Sequence, residues 1–158
     1  MAIYMKYGSI KGAVTTDGFK DWIELNSFQW GVGRGIGSAA RGSSNREGSE
    51  PSLSEVVVTK TMDVSSNNLF LDAVAGNMNS EVTIKFTTTT KNKVETYLTY
   101  VMTDTGLSGH SFSSGGDLPG ESLSLNFTKI TMTFDKVDAA GKKDPNTVGY
   151  DLTQMKTT

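Results

Sequence analysis

The amino-acid sequence predicts a mainly β fold with one short α-helix, built as a single domain over residues 1–158. Three observations support this fold class. The length is that of one ordinary domain. Apolar and polar residues alternate with a period of two in most ordered segments, as half-buried strands require. Glycine is frequent, with 17 residues in the chain, and only one segment has a helical pattern.

The strand pattern is clearest where Val82, Ile84 and Phe86 occupy alternate positions and therefore share one face. Similar alternation, or an enrichment in β-branched residues, predicts further strands in the segments 23–30, 53–62, 94–102 and 148–152. The segment 123–127 alternates as well, and 130–134 continues the alternation after a slip of one residue. A β-bulge between Phe127 and Ile130 would explain the slip, so we predict one bent strand that serves two sheets or a barrel corner.

The helix is predicted from Ser65 and Ser66, either of which caps a helix start well, to Gly76, which tolerates the left-handed conformation at a helix end. Its apolar residues are Leu69, Phe70, Ala73 and Val74, which we expect to form one face against the sheet. The helix should be about three turns long.

Two glycine-rich polar stretches, at about 31–52 and at 105–122, are predicted as loops. The first is long for a loop without structure of its own, and loops of that length are usually either functional or disordered. Neither stretch matches a nucleotide-binding motif, because Ser43 stands where a Walker loop needs lysine and no helix pattern follows the glycines.

The sequence gives no reason to expect catalysis, a metal site or a cofactor. His110 is the only histidine, and we interpret it as a solvated loop residue. The carboxylates show no metal-loop spacing, and the chain has no cysteine, which excludes thiolate chemistry. A glycosidase pair of distant carboxylates stays open as a weak alternative, since its members need not be neighbours in sequence.

The net charge of -2 and the scattered charged residues argue against a nucleic-acid-binding surface or a membrane-seeking basic patch. The sequence has no apolar run long enough to cross a bilayer and no signal-peptide pattern at its start. We therefore expect synthesis in the cytoplasm and no membrane insertion. Trp22, Phe28 and Trp30 could form a platform for a sugar or a base, and packing against the core or a neighbouring subunit is the simpler interpretation.

Several segments, in order along the chain, resemble the haemolysin-coregulated protein (Hcp) family of the bacterial type VI secretion system. The opening Tyr4 to Gly12 is similar to the first strand and turn of that family. The motif of Phe28, Trp30 and Gly31 resembles the aromatic-x-Trp-Gly signature that precedes a glycine-rich loop. Thr59, Lys60 and Asp63 resemble the stretch that leads into the single helix. The remaining similar segments are 94–98, 113–116, 124–127 and 149–152.

The resemblance implies a small β-barrel of two packed antiparallel sheets with one helix, and a structural rather than an enzymatic role. It implies homohexameric rings with an open lumen that stack into the inner tube of the secretion system. It further implies export to the medium or a target cell without a signal peptide, effector proteins carried in the lumen, and sheath and spike proteins as partners.

The loop at about 31–52 is our candidate for contacts between subunits or between stacked rings, and we hypothesise that deleting residues 47–51 weakens stacking more than ring closure. Its candidate contact residues are Arg34, Arg41, Arg46, Glu47, Glu50 and Pro51. Two alternatives to the tube subunit stay open from sequence: a phage tail-tube-like protein and a carbohydrate-binding β-sandwich module.

Overall fold

Residues 1–37 and 48–158 contain twelve strands and one helix. The computed structural model describes residues 1–37 and 48–158. The helix is α1 (Ser66–Ala75), and the strands are β1 (Ala2–Tyr7), β2 (Ile23–Leu25), β3 (Ser27–Gln29), β4 (Val32–Gly33), β5 (Ser52–Leu53), β6 (Val56–Thr61), β7 (Ser80–Thr90), β8 (Lys93–Ser113), β9 (Gly120–Asn126), β10 (Lys129–Val137), β11 (Lys143–Asp151) and β12 (Lys156–Thr157).

The strands form two antiparallel sheets that share the long strand β8. The first sheet has the order β12-β11-β10-β8-β7-β1-β2, and the second has the order β3-β6-β9-β8. A small pair, β4 and β5, stands apart. The predicted fold class is confirmed: the chain is mostly antiparallel strand in two packed sheets with one helix. Among the described strands the hydrogen-bonded ladder stays open, because β2 and β3 are each paired on one side only.

The strand that serves both sheets is β8, not the one predicted. Residues 94–103 of β8 pair with β7 and β10, and residues 106–113 pair with β9. The change of sheet coincides with Asp104, whose φ is 48°, and with a register shift between Leu107 and Gly109. The slip at residues 127–129 marks a break between β9 and β10, which lie in different sheets. The prediction of a bulged continuous strand there was therefore wrong.

The core lies between the two sheets and is apolar on both sides. The second sheet contributes Val56, Val58, Leu123 and Leu125, all fully buried. Inward residues of the first sheet face them, and these are Met5, Ile84, Tyr100, Met102 and Ile130. A smaller cluster of Tyr4, Val14 and Phe19 covers the outer side of β1, with Trp22 packed against it.

The helix begins and ends close to where the sequence predicts, but its faces differ from the prediction. Leu69 is fully buried, and Ala73 packs against the core. Phe70 and Val74, expected on the same covered face, are 50% and 69% exposed. Gly76 ends the helix with φ 71°, as predicted. Ser65 makes no side-chain capping bond to the helix backbone; it donates to Asp63 instead.

The second glycine-rich stretch is mostly strand, so the loop predicted at 105–122 was wrong. Strand β8 continues to Ser113 and β9 begins at Gly120, which leaves only residues 114–119 between them. Gly106 is required by a close approach rather than by a turn, because a Cβ there would lie 2.6 Å from the carbonyl oxygen of Asn77 and 2.5 Å from the sulfur of Met78. Gly106 thus permits the segment that follows helix α1 to approach β8.

Candidate self-assembly surfaces

The described ends of the predicted loop at 31–52 form a paired stem. Strands β4 and β5 pair antiparallel, and an isolated bridge joins Ile36 to Gly48 further out. The Arg34 Nε atom donates to the Ser49 carbonyl at 2.6 Å, and the Gly35 amide donates to the Ser49 hydroxyl at 2.9 Å. We call residues 31–37 and 48–53 the stem. Its side chains are mostly exposed, so it stands out from the body as an antiparallel ribbon.

The candidate contact residues fall in different parts of this feature. Arg34 and Glu50 are exposed on the stem, and Pro51 lies at its base. Arg41, Arg46 and Glu47 lie outside the described residues. The structure therefore places half of the predicted set on one ribbon, and their role in assembly stays a prediction.

An apolar groove lies between the base of the stem and the edge of the first sheet. Its volume is about 200 Å³. The stem side is formed by Trp30, Val32, Pro51 and Leu53, and the sheet side by Ile130, Thr131, Met132, Val148, Gly149 and Tyr150. No lining residue carries a charge. We call this the stem groove.

The Trp-Gly motif builds one wall of the stem groove. Phe28 stacks on Tyr100 with ring centroids 4.8 Å apart, and Trp30 meets the same ring edge-on at 5.8 Å. Gly31 follows at the turn into the stem, where its amide donates to the Ser54 hydroxyl at 2.9 Å. Core packing, the simpler interpretation of these aromatics, is what the structure shows. Trp22 belongs to a different cluster, so Trp22 and Trp30 do not form one platform.

Threonines cover the outer face of the first sheet. Thr99 of β8 pairs with Lys85 on one side and Thr133 on the other, and Thr133 in turn pairs with Thr147. Thr131 lies opposite Val101 in the next row of the same face. Successive side chains of a strand point to opposite sides, so these residues face away from the core. The centre of this face thus carries short side chains, while charged side chains such as Lys85 and Asp135 share its outward parity. We call Thr99, Thr131, Thr133 and Thr147 the threonine face.

A buried ionic network joins the end of β6 to β8, β9 and helix α1. Lys60 is fully buried, and its Nζ atom donates to Glu121 Oε2 at 2.6 Å, to Ser66 Oγ at 3.1 Å and to the Thr61 carbonyl at 3.0 Å. It also lies 2.9 Å from Asp63 Oδ1. Two of the family-like residues, Lys60 and Asp63, therefore meet in space and secure the turn into the helix. The third, Thr59, is a strand residue whose hydroxyl bonds to Ser27 at 2.5 Å.

Glu121 is the acceptor at the centre of this network. Its second oxygen, Oε1, lies 2.6 Å from His110 Nε2. Burial alone would raise the pKa of Glu121, but hydrogen bonds from Lys60, Ser66 and His110 and the charge of Lys60 together lower it below its usual value. The carboxylate is therefore charged at neutral pH and balances the buried ammonium group.

The interpretation of His110 as a solvated loop residue was wrong. Its side chain is 3% exposed and lies in β8, with its ring 4.3 Å from that of Phe112. A sequence signal for the network did exist. Glu121 occupies the same alternating phase as Leu123 and Leu125, so a strand in that position must point a carboxylate into the core.

The described part of the chain contains no group of three or more histidine, cysteine, aspartate or glutamate side chains arranged to hold a metal ion. No helix within residues 1–37 and 48–158 is long and apolar enough to cross a membrane. In the buried network, Lys60, Ser66 and His110 Nε2 all bind Glu121. His110 Nδ1 is buried without a hydrogen-bond partner among the described residues.

Comparisons with known proteins agree with this architecture. A solved structure described as a type six secretion system protein superposes with a TM-score of 0.88 at 26% identity, with 99% of each chain covered. Hcp1 from Salmonella typhimurium gives a TM-score of 0.76 at 22% identity over 100% of each chain. Secreted protein Hcp3 from Pseudomonas aeruginosa gives 0.64 at 21% identity, covering 92% of this chain and 96% of the other.

No curated protein matches the chain. The family profile described as "Type VI secretion system effector, Hcp" matches residues 4–134, which is most of the sequence. The match runs from β1 into β10 and includes the stem and the helix, and it agrees with the resemblance seen in the motifs. On this match the chain belongs to the Hcp family of the type VI secretion system.

Proposed function

We propose that the chain is the repeating subunit of the inner tube of a type VI secretion system. Six copies close into a ring with an open lumen, and rings stack into a tube that is propelled out of the cell. The observation that carries the proposal is the family match over residues 4–134, on a fold that keeps large apolar and threonine-rich surfaces uncovered. Membership of the family supports self-assembly. The number of six copies per ring and the stacking of rings are what we propose beyond it.

The threonine face is proposed to line the lumen. A channel that passes folded proteins needs a smooth wall that hydrates well and holds no passenger tightly. Thr99, Thr131, Thr133 and Thr147 offer short side chains with hydroxyl groups, and β-branched residues fit a pleated surface. Effector proteins are the proposed passengers, and sheath and spike proteins are the proposed neighbours of the tube.

The stem is proposed to reach a neighbouring ring. It projects as an exposed ribbon, and its backbone pairing, reinforced by Arg34 and Ser49, holds it extended. Stacking requires a contact distinct from the one that closes the ring, because the two contacts use different faces of the subunit. The proposal also includes synthesis in the cytoplasm and export with the tube. The subunit is proposed to act as a scaffold and not as an enzyme.

Light scattering after size-exclusion chromatography tests the ring directly. The purified chain is expected to have a mass six times that of one chain, independent of dilution over a wide range. A monomer at high protein concentration would contradict the proposal.

A further inference from the structure

Helix α1 turns an uncharged apolar face to solvent. Phe70 is 50%, Leu71 61% and Val74 69% exposed, and residues three or four apart are neighbours on a helix surface. The single charged residue of the helix, Asp72, is turned inward, where its Oδ2 accepts a hydrogen bond from the Tyr7 hydroxyl at 2.9 Å. We call Phe70, Leu71 and Val74 the helix face. Contiguous exposed apolar side chains of this kind mark an interaction site.

The stem groove is the matching concave surface. Its lining carries no charge, although charged residues make up 20% of the chain. Val148 at its edge is 47% exposed and Val32 is 62% exposed. At the stem groove, the core-facing side of β10 and β11 is therefore partly exposed to solvent. A large apolar side chain from outside would complete it.

The two surfaces lie on different elements of the subunit, and helix α1 also packs against β8. Asp72 binds Tyr7 on β1, whereas the stem groove lies on β10 and β11, with β7 and β8 in between. Three strand spacings, from β1 to β10, correspond to about 15 Å. Along the chain, the two surfaces are separated by β6, since Leu53 of the groove precedes that strand and Ser66 of the helix follows it.

A closed ring needs two different patches on each subunit that match one another, because its contacts are heterologous. We infer that the helix face of one copy docks in the stem groove of the next copy around the ring. This inference rests on the proposed self-assembly and adds the side chains that form the contact. A second copy is the occupant that fits, because both surfaces are apolar and uncharged and every copy of the chain carries both of them on separate elements.

Cysteine pairs test the geometry, since the natural chain has no cysteine. The double variant Val74→Cys/Val148→Cys, treated with a short bismaleimide, should give a ladder of linked chains on a denaturing gel, ending at the closed ring. Each single variant should give no product larger than one chain. The matched control Val74→Cys/Val137→Cys, in which Val137 is 52% exposed at the far end of β10, should give no ladder.

Three results would overturn the inference: no ladder from the double variant, a ladder from the control, or a linked dimer from Val74→Cys alone, which would mean that two helices meet symmetrically. A second variant tests the energetics. Phe70→Glu should raise the concentration at which the oligomer dissociates by at least about 30-fold, as loss of a central apolar anchor does, while Val137→Glu should leave it unchanged.

The oligomer mass of the unaltered chain distinguishes a failure of the proposed ring from a failure of the inferred contact between the helix face and the stem groove. If the unaltered chain is a hexamer and Phe70→Glu is also a stable hexamer, the contact inferred here is wrong and the ring stands. If the unaltered chain is monomeric at high concentration, the ring and the contact both fail.

Discussion

Lys60 shows how a single buried charge fixes the start of the helix. It is fully buried, yet every donor of its ammonium group has a partner: Glu121, Ser66, Asp63 and the Thr61 carbonyl. A buried pair of this kind adds little stability compared with an apolar substitute, but it is costly to break. Its main effect is to hold β6, β9 and helix α1 in one arrangement.

Replacing Lys60 with Met should therefore destabilise the chain by about 3 to 5 kcal/mol, because Glu121 would be left buried without its cation. Urea denaturation of a monomeric variant would measure the change. Lys143→Met is the matched control, because Lys143 is 43% exposed and lies 3.9 Å from Asp135. An exposed pair contributes about 0 to 1 kcal/mol. Equal losses of stability from the two substitutions would contradict the role of Lys60 as the buried partner of Glu121.

The same network predicts how stability depends on pH. The pKa values of Glu121 and Asp63 are both lowered in the fold. A carboxyl with a lowered folded pKa contributes stability above its unfolded pKa, which is about 4.3 for glutamate, and loses it as the pH falls through the folded value. The urea midpoint should therefore fall as the pH is lowered from about 5. Glu121→Gln should show a shallower fall, and an identical slope would disprove the role of Glu121.

Sequence reasoning found Lys60 and Asp63 through the resemblance and missed Glu121 and His110. The carboxylate was detectable, because it continues the inward phase of Leu123 and Leu125. His110 was hidden by the register shift between Leu107 and Gly109, which breaks the alternation just before it. Alternation along one strand cannot assign the face of a residue beyond such a shift. The contact between His110 and Glu121 is therefore visible only once the pairing of β8 with β9 is known.

The turn of the β7–β8 hairpin holds a lysine in an unfavourable backbone conformation. Its two turn residues, Lys91 and Asn92, have φ of 49° and 63°. A two-residue turn with both φ values positive matches the twist of the strands and favours glycine or asparagine. Lysine in the left-handed region costs about 1 kcal/mol or more.

Lys91→Gly should therefore stabilise the chain by about 1 kcal/mol, measured as a rise in the urea midpoint. Lys93→Gly provides the contrast, because Lys93 lies in a strand, where glycine is unfavourable by about 0.5 to 1 kcal/mol. A lower midpoint for Lys91→Gly would contradict the turn geometry.

The strands were predictable wherever alternation is uninterrupted, as in β7 and in the Val56–Thr61 strand. The helix ends were predictable from Ser66 and Gly76. The exposure of the helix face could not be predicted. Apolar residues have the same helical spacing in the sequence whether their own sheet or a neighbouring molecule covers them. Phe70 and Val74 show the difference: they are apolar at helical spacing and exposed in the single chain.

The molecule protects the free edge that β11 forms in the first sheet against uncontrolled pairing with other strands. The Thr158 amide donates to the Gly149 carbonyl, so Gly149 presents its backbone groups to the outer side of β11. Pro145 has the same parity and therefore faces the same side, where it removes a donor. Proline on an edge strand discourages the addition of further strands. Assembly is thereby directed to surfaces other than this stretch of edge.

The stem predicts a separation between ring closure and stacking. Replacing residues 38–47 by a short Gly-Ser linker should leave rings intact, because the stem groove is retained. It should shorten or abolish stacks, because the segment between the two strands of the stem, through which the stem is proposed to reach the neighbouring ring, is lost. This variant is more selective than deletion of residues 47–51, which would remove Ser49, the partner of Arg34, and Pro51 of the groove. Electron micrographs of stacked material would decide; stacks of unchanged length would show that the segment is dispensable.

The proposed tube depends on the closure of this chain into a six-membered ring around an open lumen. Negative-stain electron microscopy of the purified chain tests it most directly. Averaged end-on views should show six equivalent units around a stain-filled hole. Compact particles without a central hole, or views with a different number of units, would contradict the six-membered ring.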